Sequence, residues 1–339
     1  MTDPESILAG LAAGRRVALA RLLTWLEAGD PRGREAVASL SSASPLVIGM
    51  TGPPGTGKST ITDRLVTLLR DRGESVAVLA IDPSSPRTGG ALLGDRIRMS
   101  QHTHDDGVYI RSMASRGQLG GLSATVPSAL RAIAHAGFER VIVETVGVGQ
   151  VETDIADHAD TTVVVLTPGL GDDIQASKAG LLEIADVFVI NKADIGGAEQ
   201  AAADLNASLD LRRAHDGWRP PVVTCSALRD GDVNAVLDAI DAHGTYTAAA
   251  GEIEVRRSAR RVWELRNTMY QDARARVDRF LASVEASTVL ADVADGRRDP
   301  QRAALCLMES CAASNNSSPS RAPTRLAAPA AGAHAGGGT

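Results

Sequence analysis

The sequence predicts an α/β fold with a mostly parallel central sheet flanked by helices, an N-terminal helical preface and a C-terminal helical arm. Two observations support this fold: short apolar runs rich in Val and Ile alternate with amphipathic stretches in mid-chain, and helical periodicity brackets that region. Such runs are typical of buried parallel strands joined by crossover helices. Strands are predicted at Leu46 to Met50, Val76 to Ile81, Val141 to Val143, Thr162 to Leu166, Val187 to Ile190 and Val222 to Val223.

Residues 1–44 and residues 45–250 differ in the spacing of their apolar side chains. In residues 1–44 apolar side chains recur three or four positions apart until Gly29-Asp30-Pro31 interrupts the pattern, which predicts an N-terminal helical segment. Residues 45–250 contain all the predicted strands and are expected to form one α/β domain.

Helical spacing returns after Gly251, and residues 251–311 are predicted to form a C-terminal helical arm. Between Val255 and Arg302 the arm carries 11 Arg against 7 acidic residues. This basic face is either a solvated surface over a packed stripe or a surface for dimerisation or partner docking. Residues 312–339 are mostly Ser, Pro, Ala and Gly, which predicts a disordered low-complexity tail.

Composition narrows the class of protein. The chain has 339 residues, 44% of them hydrophobic, enough to bury one large core. Its three cysteines fit neither a disulfide framework nor a zinc site. A net charge of −6 and only 3% aromatic residues argue against nucleic acid as a partner. An acidic N-terminus and the lack of a long apolar run predict a cytoplasmic protein that does not enter a membrane.

A glycine-rich loop follows the first predicted strand and matches the pattern G-x-x-x-x-G-K-S/T. In such a loop the backbone N–H groups surround the phosphates of a nucleotide, the lysine reaches the β- and γ-phosphates, and the hydroxyl after it ligates Mg²⁺. This motif predicts a P-loop NTPase. The predicted phosphate-binding residues are Gly52, Pro53, Pro54, Gly55, Thr56, Gly57, Lys58, Ser59 and Thr60.

An N-K-x-D sequence at the end of a late strand indicates which nucleotide base the protein binds. Asp194 can accept hydrogen bonds from N1–H and the 2-amino group of guanine, a donor pair that adenine lacks. Asn191 is expected to brace the loop and Lys192 to cover the base. After the next strand, the backbone of Ser226, Ala227 and Leu228 could recognise the guanine carbonyl, or Ser226 could simply cap the following helix. The pattern predicts GTP rather than ATP.

Acidic residues near the phosphate loop indicate a Mg²⁺ site. We expect Mg²⁺ to be held by Ser59 with some or all of Asp82, Asp95 and Glu144, since Mg²⁺ prefers one or two carboxylates plus water and phosphate oxygens. The same three acids and Lys58 are the predicted catalytic residues, acting by positioning and charge neutralisation. The residue that orients the attacking water stays open among Asp82, Asp95 and Gln150.

Glycine-rich segments beside this site are candidate switch loops, which can rearrange when the γ-phosphate leaves. They are Thr88 to Gly90, Gly147 to Gly149 and Thr167 to Asp173.

Taken together, these segments resemble the MeaB/ArgK-type GTPases, the methylmalonyl-CoA mutase-associated GTPases of the SIMIBI class. The resemblance covers about Leu8 to Ala304. The stretches that carry it are Gly52 to Thr60, Asp82 to Gly90, Leu93 to Asp95, Ser115 to Gly117, Leu119 to Gly121, Val143 to Gln150 and Asn191 to Asp194.

The resemblance implies a partner-stimulated, Mg²⁺-dependent GTPase that forms a homodimer. It implies a metallochaperone that gates adenosylcobalamin loading onto an acyl-CoA mutase, such as methylmalonyl-CoA mutase, and protects that mutase. An adenosyltransferase is a further expected partner, and the loop from about Pro168 to Lys178 would face the client. The chain has no D-x-H-x-x-G motif, so the partners would carry the cobalamin.

Two other functions remain open from the residues alone. One is a small-molecule or protein kinase built on the same phosphate loop, which would make no use of the N-K-x-D sequence. The other is a nucleotide-dependent scaffold in which the basic C-terminal arm does the work and hydrolysis is incidental.

Overall fold

The computed structural model describes residues 3–40, 45–82, 99–102, 104–114, 125–145, 151–169, 180–211, 217–229 and 231–316. Within this part of the chain, seven strands form one sheet in the order β3-β2-β4-β1-β5-β6-β7, and every pair is parallel. The strands are β1 Leu46–Thr51, β2 Val76–Asp82, β3 Val108–Ala114, β4 Arg140–Thr145, β5 Thr161–Leu166, β6 Val187–Ile190 and β7 Val222–Thr224. The predicted fold class and all six predicted strands are confirmed.

Strand β3 was not predicted, because two polar residues interrupt its apolar run. It forms an edge of the sheet and pairs with β2. The guanidinium of Arg111 donates to the carbonyl of Ala20 at 3.1 Å and forms an ion pair with Glu27. The N-terminal helices thus supply the polar partners that allow an arginine in this edge strand to be largely buried.

Helices cover the sheet and continue beyond it. In chain order they are α1 Pro4–Ala12, α2 Arg16–Ala28, α3 Pro31–Ala38, α4 Lys58–Asp71, α5 Val126–His135, α6 Val151–Asp154, α7 Ala198–Leu211, α8 Asn234–Ala249, α9 Glu252–Leu281, α10 Val284–Ala294 and α11 Pro300–Asn316. The predicted helical preface and helical C-terminal region are both present.

Local sequence explains the boundaries in the preface. Asp3 and Asp30 cap α1 and α3, each accepting a backbone N–H, from Ser6 at 2.8 Å and Arg32 at 2.9 Å. A proline follows each cap, where its fixed φ suits the first turn of a helix. Gly29 ends α2 with a φ of +67°, which a glycine adopts without strain. The Gly-Asp-Pro sequence therefore stops one helix and starts the next.

The core lies on both faces of the sheet. On one face α1, α2, α3 and α5 bury apolar side chains against β2 and β4, including Leu22, Ile133 and Val143. On the other, α4 and α8 pack over β1 and β5, with Leu65 and Ile240 fully or almost fully buried. Consecutive residues of β1 alternate between the two clusters, as the pleat of a strand requires.

The chain forms two compact units, Met1–Asn267 and Thr268–Thr339. The boundary falls inside α9, later than the predicted division after residue 250. Helix α11 also continues to Asn316, past the predicted start of the tail at residue 312. Residues 317–339 of that tail lie outside the described residues.

Two carboxylates attach the first turns of α9 to the sheet, at the amino ends of β5 and β6. Asp186 accepts two hydrogen bonds from the Arg256 guanidinium, at 2.8 and 2.9 Å. Asp160 accepts one from Arg260 at 2.9 Å. Burial alone would raise the pKa of Asp186, but hydrogen bonds from His243 and Arg256 outweigh it and lower the pKa. This pairing places the start of α9 with the first unit.

His158 lies beside this attachment. Its ring is fully buried and meets the Trp263 ring of α9 edge-on, with 4.6 Å between centroids. Burial, with a smaller contribution from the nearby Arg260 charge, lowers the pKa of His158 to about 3. The folded chain therefore holds this histidine neutral.

His158 should make stability fall with pH below about 6.5, the ordinary pKa of histidine, because protons then bind the unfolded chain but not the folded one. Between pH 7 and pH 5.5 we expect this to cost about 1 kcal/mol of unfolding free energy. Urea unfolding of wild type and His158→Phe at both pH values measures it, and the variant should lose less stability by that amount. His104→Phe, which removes an exposed histidine, is the control; equal losses in all three proteins would contradict the assignment.

Candidate nucleotide-binding site

The predicted site residues that the structure describes gather at the carboxyl end of the sheet. Strand β1 lies between β4 and β5, and after it the chain turns through the glycine-rich loop into α4. Strands β2, β3 and β4 lie on one side of β1, and β5, β6 and β7 on the other. In open parallel sheets, ligands bind outside the strand ends at such a reversal of strand order.

Two glycines of the loop are required for two reasons: a Cβ at either position would collide with neighbouring atoms, and both have a positive φ. Gly52 has a φ of +134°, and a Cβ there would lie 2.1 Å from the carbonyl oxygen of Val165. Gly57 has a φ of +91°, and its Cβ would lie 2.3 Å from Nδ2 of Asn191. Any side chain at either position would displace backbone or a buried amide. Gly55, with a φ of +75°, faces open space.

Lys58 begins α4, and its ammonium turns back over the loop. Nζ donates to the carbonyl oxygen of Gly52 at 2.7 Å and to that of Pro53 at 3.0 Å. The hydroxyl of Thr56 donates to the Pro53 carbonyl at 3.0 Å. The lysine charge is thereby held inside the curve of the loop, where the phosphates of a nucleotide are expected.

Two of the predicted Mg²⁺ ligands touch each other. The Ser59 hydroxyl donates to Oε1 of Glu144 at 2.6 Å, and both side chains are buried. The register of β1 against β4, which pairs Met50 with Glu144, sets this contact. A hydroxyl and a carboxylate are hard oxygen ligands that suit Mg²⁺. Asp82 ends β2, next to β4, but its side chain is outside the described part, as is all of Asp95.

Asn191 joins the phosphate loop to the loop after β7. Its Nδ2 donates to the carbonyl of Thr56 at 2.8 Å, and its Oδ1 accepts the N–H of Ala227 at 3.0 Å. The side chain is buried, and the thiol of Cys225 also approaches Oδ1, at 3.8 Å. The sequence predicted that Asn191 braces a loop; the structure gives it contacts with two loops at once.

Asp194 lies at the surface beside Ser226, whose hydroxyl donates to its Oδ1 at 2.6 Å. This hydrogen bond is the main cause of a lowered pKa at Asp194, with smaller contributions from the Asp194 backbone and nearby cations. The Ser226 hydroxyl is thus directed at Asp194 and does not cap the following helix, which begins at Asn234. Lys192, on the same turn, is exposed with a φ of +61°.

The loop of residues 226–228 has a buried centre and an exposed end: Ala227 is 3% exposed and Leu228 is 76% exposed. Two residues that the sequence analysis did not single out contact this loop. Nε of Arg64 donates to the carbonyl of Ala227 at 3.3 Å, and Asp232 accepts the N–H of Ser226 at 3.1 Å. Neither residue belongs to a recognisable sequence motif. Arg64 is distant from this loop in sequence and contacts it only in the folded chain.

Several predicted features fall outside the described residues, namely the candidate switch segments Thr88 to Gly90 and Gly147 to Gly149, most of Thr167 to Asp173, and Gln150. Across the described ranges, no group of three or more His, Cys, Asp or Glu side chains is arranged to hold a metal ion. No helix in the same ranges has the length and apolar character needed to cross a membrane.

A phosphate loop at the switch point of a parallel sheet, with a serine and a carboxylate in contact beside it, defines a P-loop nucleoside triphosphatase. The family model for methylmalonyl-CoA mutase-associated GTPases, MeaB, matches residues 19–280. The chain belongs to this family of GTPases.

Individual relatives agree with this assignment. A Pyrococcus abyssi protein is 42% identical over 310 residues, 90% of this chain and 96% of the relative. GTPase ArgK of Escherichia coli is 39% identical over 76% of this chain and 80% of ArgK. The mouse methylmalonic aciduria type A homolog, a mitochondrial protein, is 35% identical over 76% of this chain and 68% of its own.

The solved crystal structure of an LAO/AO transport system kinase matches with a TM-score of 0.63 and 28% identity. The match covers 90% of this chain and 96% of that one.

Gly57→Ala should weaken GDP binding by at least about tenfold, because the new methyl group displaces the Asn191 amide and leaves buried polar groups unpaired. Titration calorimetry with GDP and Mg²⁺ measures the loss. Gly73→Ala is the matched control, since Gly73 has a φ of +80° but no atom within 4 Å of a new Cβ. Both variants place alanine at a positive φ, so an equal loss of affinity would show that contact with Asn191 is unimportant.

Proposed function

We propose that the protein binds GTP at the carboxyl end of its sheet and hydrolyses it to GDP and phosphate with Mg²⁺. The observation that carries this proposal is the buried Asn191 amide, which joins the phosphate loop to the loop of Ser226, Ala227 and Leu228. Phosphate and base recognition then take place in one continuous site.

Guanine selection follows from the chemistry of Asp194. The hydrogen bond from Ser226 stabilises the carboxylate form, which accepts from both N1–H and the 2-amino group of guanine. Adenine offers no such pair of donors, so the carboxylate would keep its hydrogen bond from Ser226 but receive none of the two from the base. The backbone of residues 226–228 faces the guanine carbonyl, and the Lys192 stem covers the base.

At the phosphates, this chain contributes positive charge and oriented donors. The backbone N–H groups of residues 55–59 surround the phosphate oxygens, and Lys58 moves its ammonium from loop carbonyls to the β- and γ-phosphates. Ser59, with some or all of Glu144, Asp82 and Asp95, would hold Mg²⁺. When bound, Mg²⁺ neutralises charge that develops on the phosphate oxygens. Lys58, Asp82, Asp95 and Glu144 are thus the proposed catalytic residues.

The client is proposed from the family. Its description names methylmalonyl-CoA mutase, and we propose that GTP hydrolysis here gates adenosylcobalamin loading onto such an acyl-CoA mutase and protects it. The cobalamin is carried by the mutase and an adenosyltransferase.

Residues 251–311 are proposed as a homodimerisation arm. The support is a set of large apolar side chains that α9, α10 and α11 leave exposed in the described monomer. They are Val255, Val262, Leu265, Met269, Tyr270, Val284, Leu290, Leu305 and Met308.

Phosphate release from GTP and from ATP, with and without an apo acyl-CoA mutase, tests the proposal. We expect slow hydrolysis selective for GTP that rises when the mutase is added. Asp194→Ala should lower kcat/KM for GTP by at least about 100-fold, since two hydrogen bonds to a charged group are lost. Asp106→Ala removes an exposed carboxylate and should behave as wild type.

The same measurement tests guanine selection and the proposed client independently. Equal use of GTP and ATP would overturn guanine selection and favour the kinase alternative. GTP-selective hydrolysis that no acyl-CoA mutase alters would overturn the proposed client but leave the GTPase intact.

A further inference from the structure

We propose that Arg64 and Asp232 are positioning residues that hold the base-reading loop, defined as residues 226–228, and so set how long a guanine nucleotide stays bound. The inference rests on the proposed guanine site. Neither residue is expected to touch the nucleotide, and each acts on a different peptide group of the loop.

Arg64 links the loop to the helix that follows the phosphate loop. It lies on α4, whose first residues are Lys58 and Ser59. Nε of Arg64 donates to the carbonyl of Ala227 at 3.3 Å, while the N–H of Ala227 donates to Asn191 at 3.0 Å. The residue at the centre of the loop is therefore held on one side by α4 and on the other by the end of β6.

Asp232 holds Ser226, the residue before Ala227, through a different peptide group. It lies just before α8, and its Oδ2 accepts the N–H of Ser226 at 3.1 Å. The hydroxyl of Ser226 in turn donates to Asp194 at 2.6 Å. Holding the Ser226 backbone in place also holds the side-chain hydroxyl in position to donate to Asp194. Asp232 therefore acts on Asp194 through Ser226.

The two supports are themselves connected. Directly after α4, its C-cap residue Arg72 forms ion pairs with Asp241 and Asp238 of α8. The loop thus lies between two helices that are tied to each other, and the N-terminus of one of them forms the phosphate site. A side chain that orders the loop before binding reduces the conformational entropy that the loop loses when the nucleotide binds. The complex is then more stable, and the nucleotide stays bound longer.

Release of a fluorescent N-methylanthraniloyl derivative of GDP from the full-length protein tests this role. Arg64→Ala should accelerate release about 5- to 10-fold, the loss expected for one intramolecular hydrogen bond of ordinary strength, since this bond is long at 3.3 Å. Asp232→Ala should have an effect of similar size. Asp232→Asn keeps an oxygen that can accept the Ser226 N–H, so it should return release to within about twofold of wild type.

Two further measurements separate positioning from general destabilisation. Arg219→Ala removes an exposed arginine that pairs with Asp210 before β7, and it should release GDP at the wild-type rate. The diphosphate of 2-aminopurine riboside is itself fluorescent, keeps the 2-amino group, and lacks both N1–H and the carbonyl that the loop is proposed to read. Arg64→Ala should therefore leave the release of this analogue unchanged.

The inference is overturned if Arg64→Ala releases GDP at the wild-type rate, or accelerates release of the analogue as much as release of GDP. An equal effect of Arg219→Ala would also overturn it. Asp194→Ala, measured alongside, separates this failure from that of the guanine site. If Asp194→Ala accelerates GDP release and Arg64→Ala does not, only the positioning role is wrong; if neither changes release, the guanine site is wrong as well.

Discussion

The arrangement of the nucleotide site depends on the buried amide of Asn191. A side-chain amide has a donor and an acceptor on one rigid group, so a single residue can bond to both loops. Its donor holds the phosphate loop at Thr56, and its acceptor holds the base-reading loop at Ala227. Gly57 lies too close to this amide to carry a side chain. The second glycine of the phosphate motif is therefore needed for the contact with Asn191 as well as for its own left-handed backbone.

Strand β6 connects this site to the opposite end of the sheet. Asp186 precedes the strand and accepts Arg256 of α9, and Asn191 follows it. A short, fully buried strand thus has the attachment of the C-terminal helix at its start and the brace of the nucleotide site at its end. Asp160 plays the matching part before β5 by accepting Arg260. The first turns of α9 are consequently held by a partly exposed ion pair of Asp186 with Arg256 and by a buried one of Asp160 with Arg260. Removing one partner of the buried pair would cost about 3–5 kcal/mol.

Much of the fold and site could be predicted from sequence, because the signals are local. Strand β1, the glycines after it and the N-K-x-D sequence each occupy a few consecutive residues whose chemistry is fixed. Strand β3 escaped prediction because Arg111 is compensated by α2, which sequence spacing does not reveal. Arg64 and the base-reading loop are 163 residues apart, so only the folded sheet shows their contact.

The central claim is that Asn191 makes one site out of two loops. Hydrogen–deuterium exchange with Mg²⁺-pyrophosphate, a ligand that reaches the phosphate loop but has no base, tests it most directly. In the wild type, pyrophosphate should slow exchange in the phosphate loop and also in a peptide containing residues 226–228. In Asn191→Ala, at saturating pyrophosphate, only the phosphate loop should be protected. Protection of the base-reading loop to the same degree in both proteins would contradict the account.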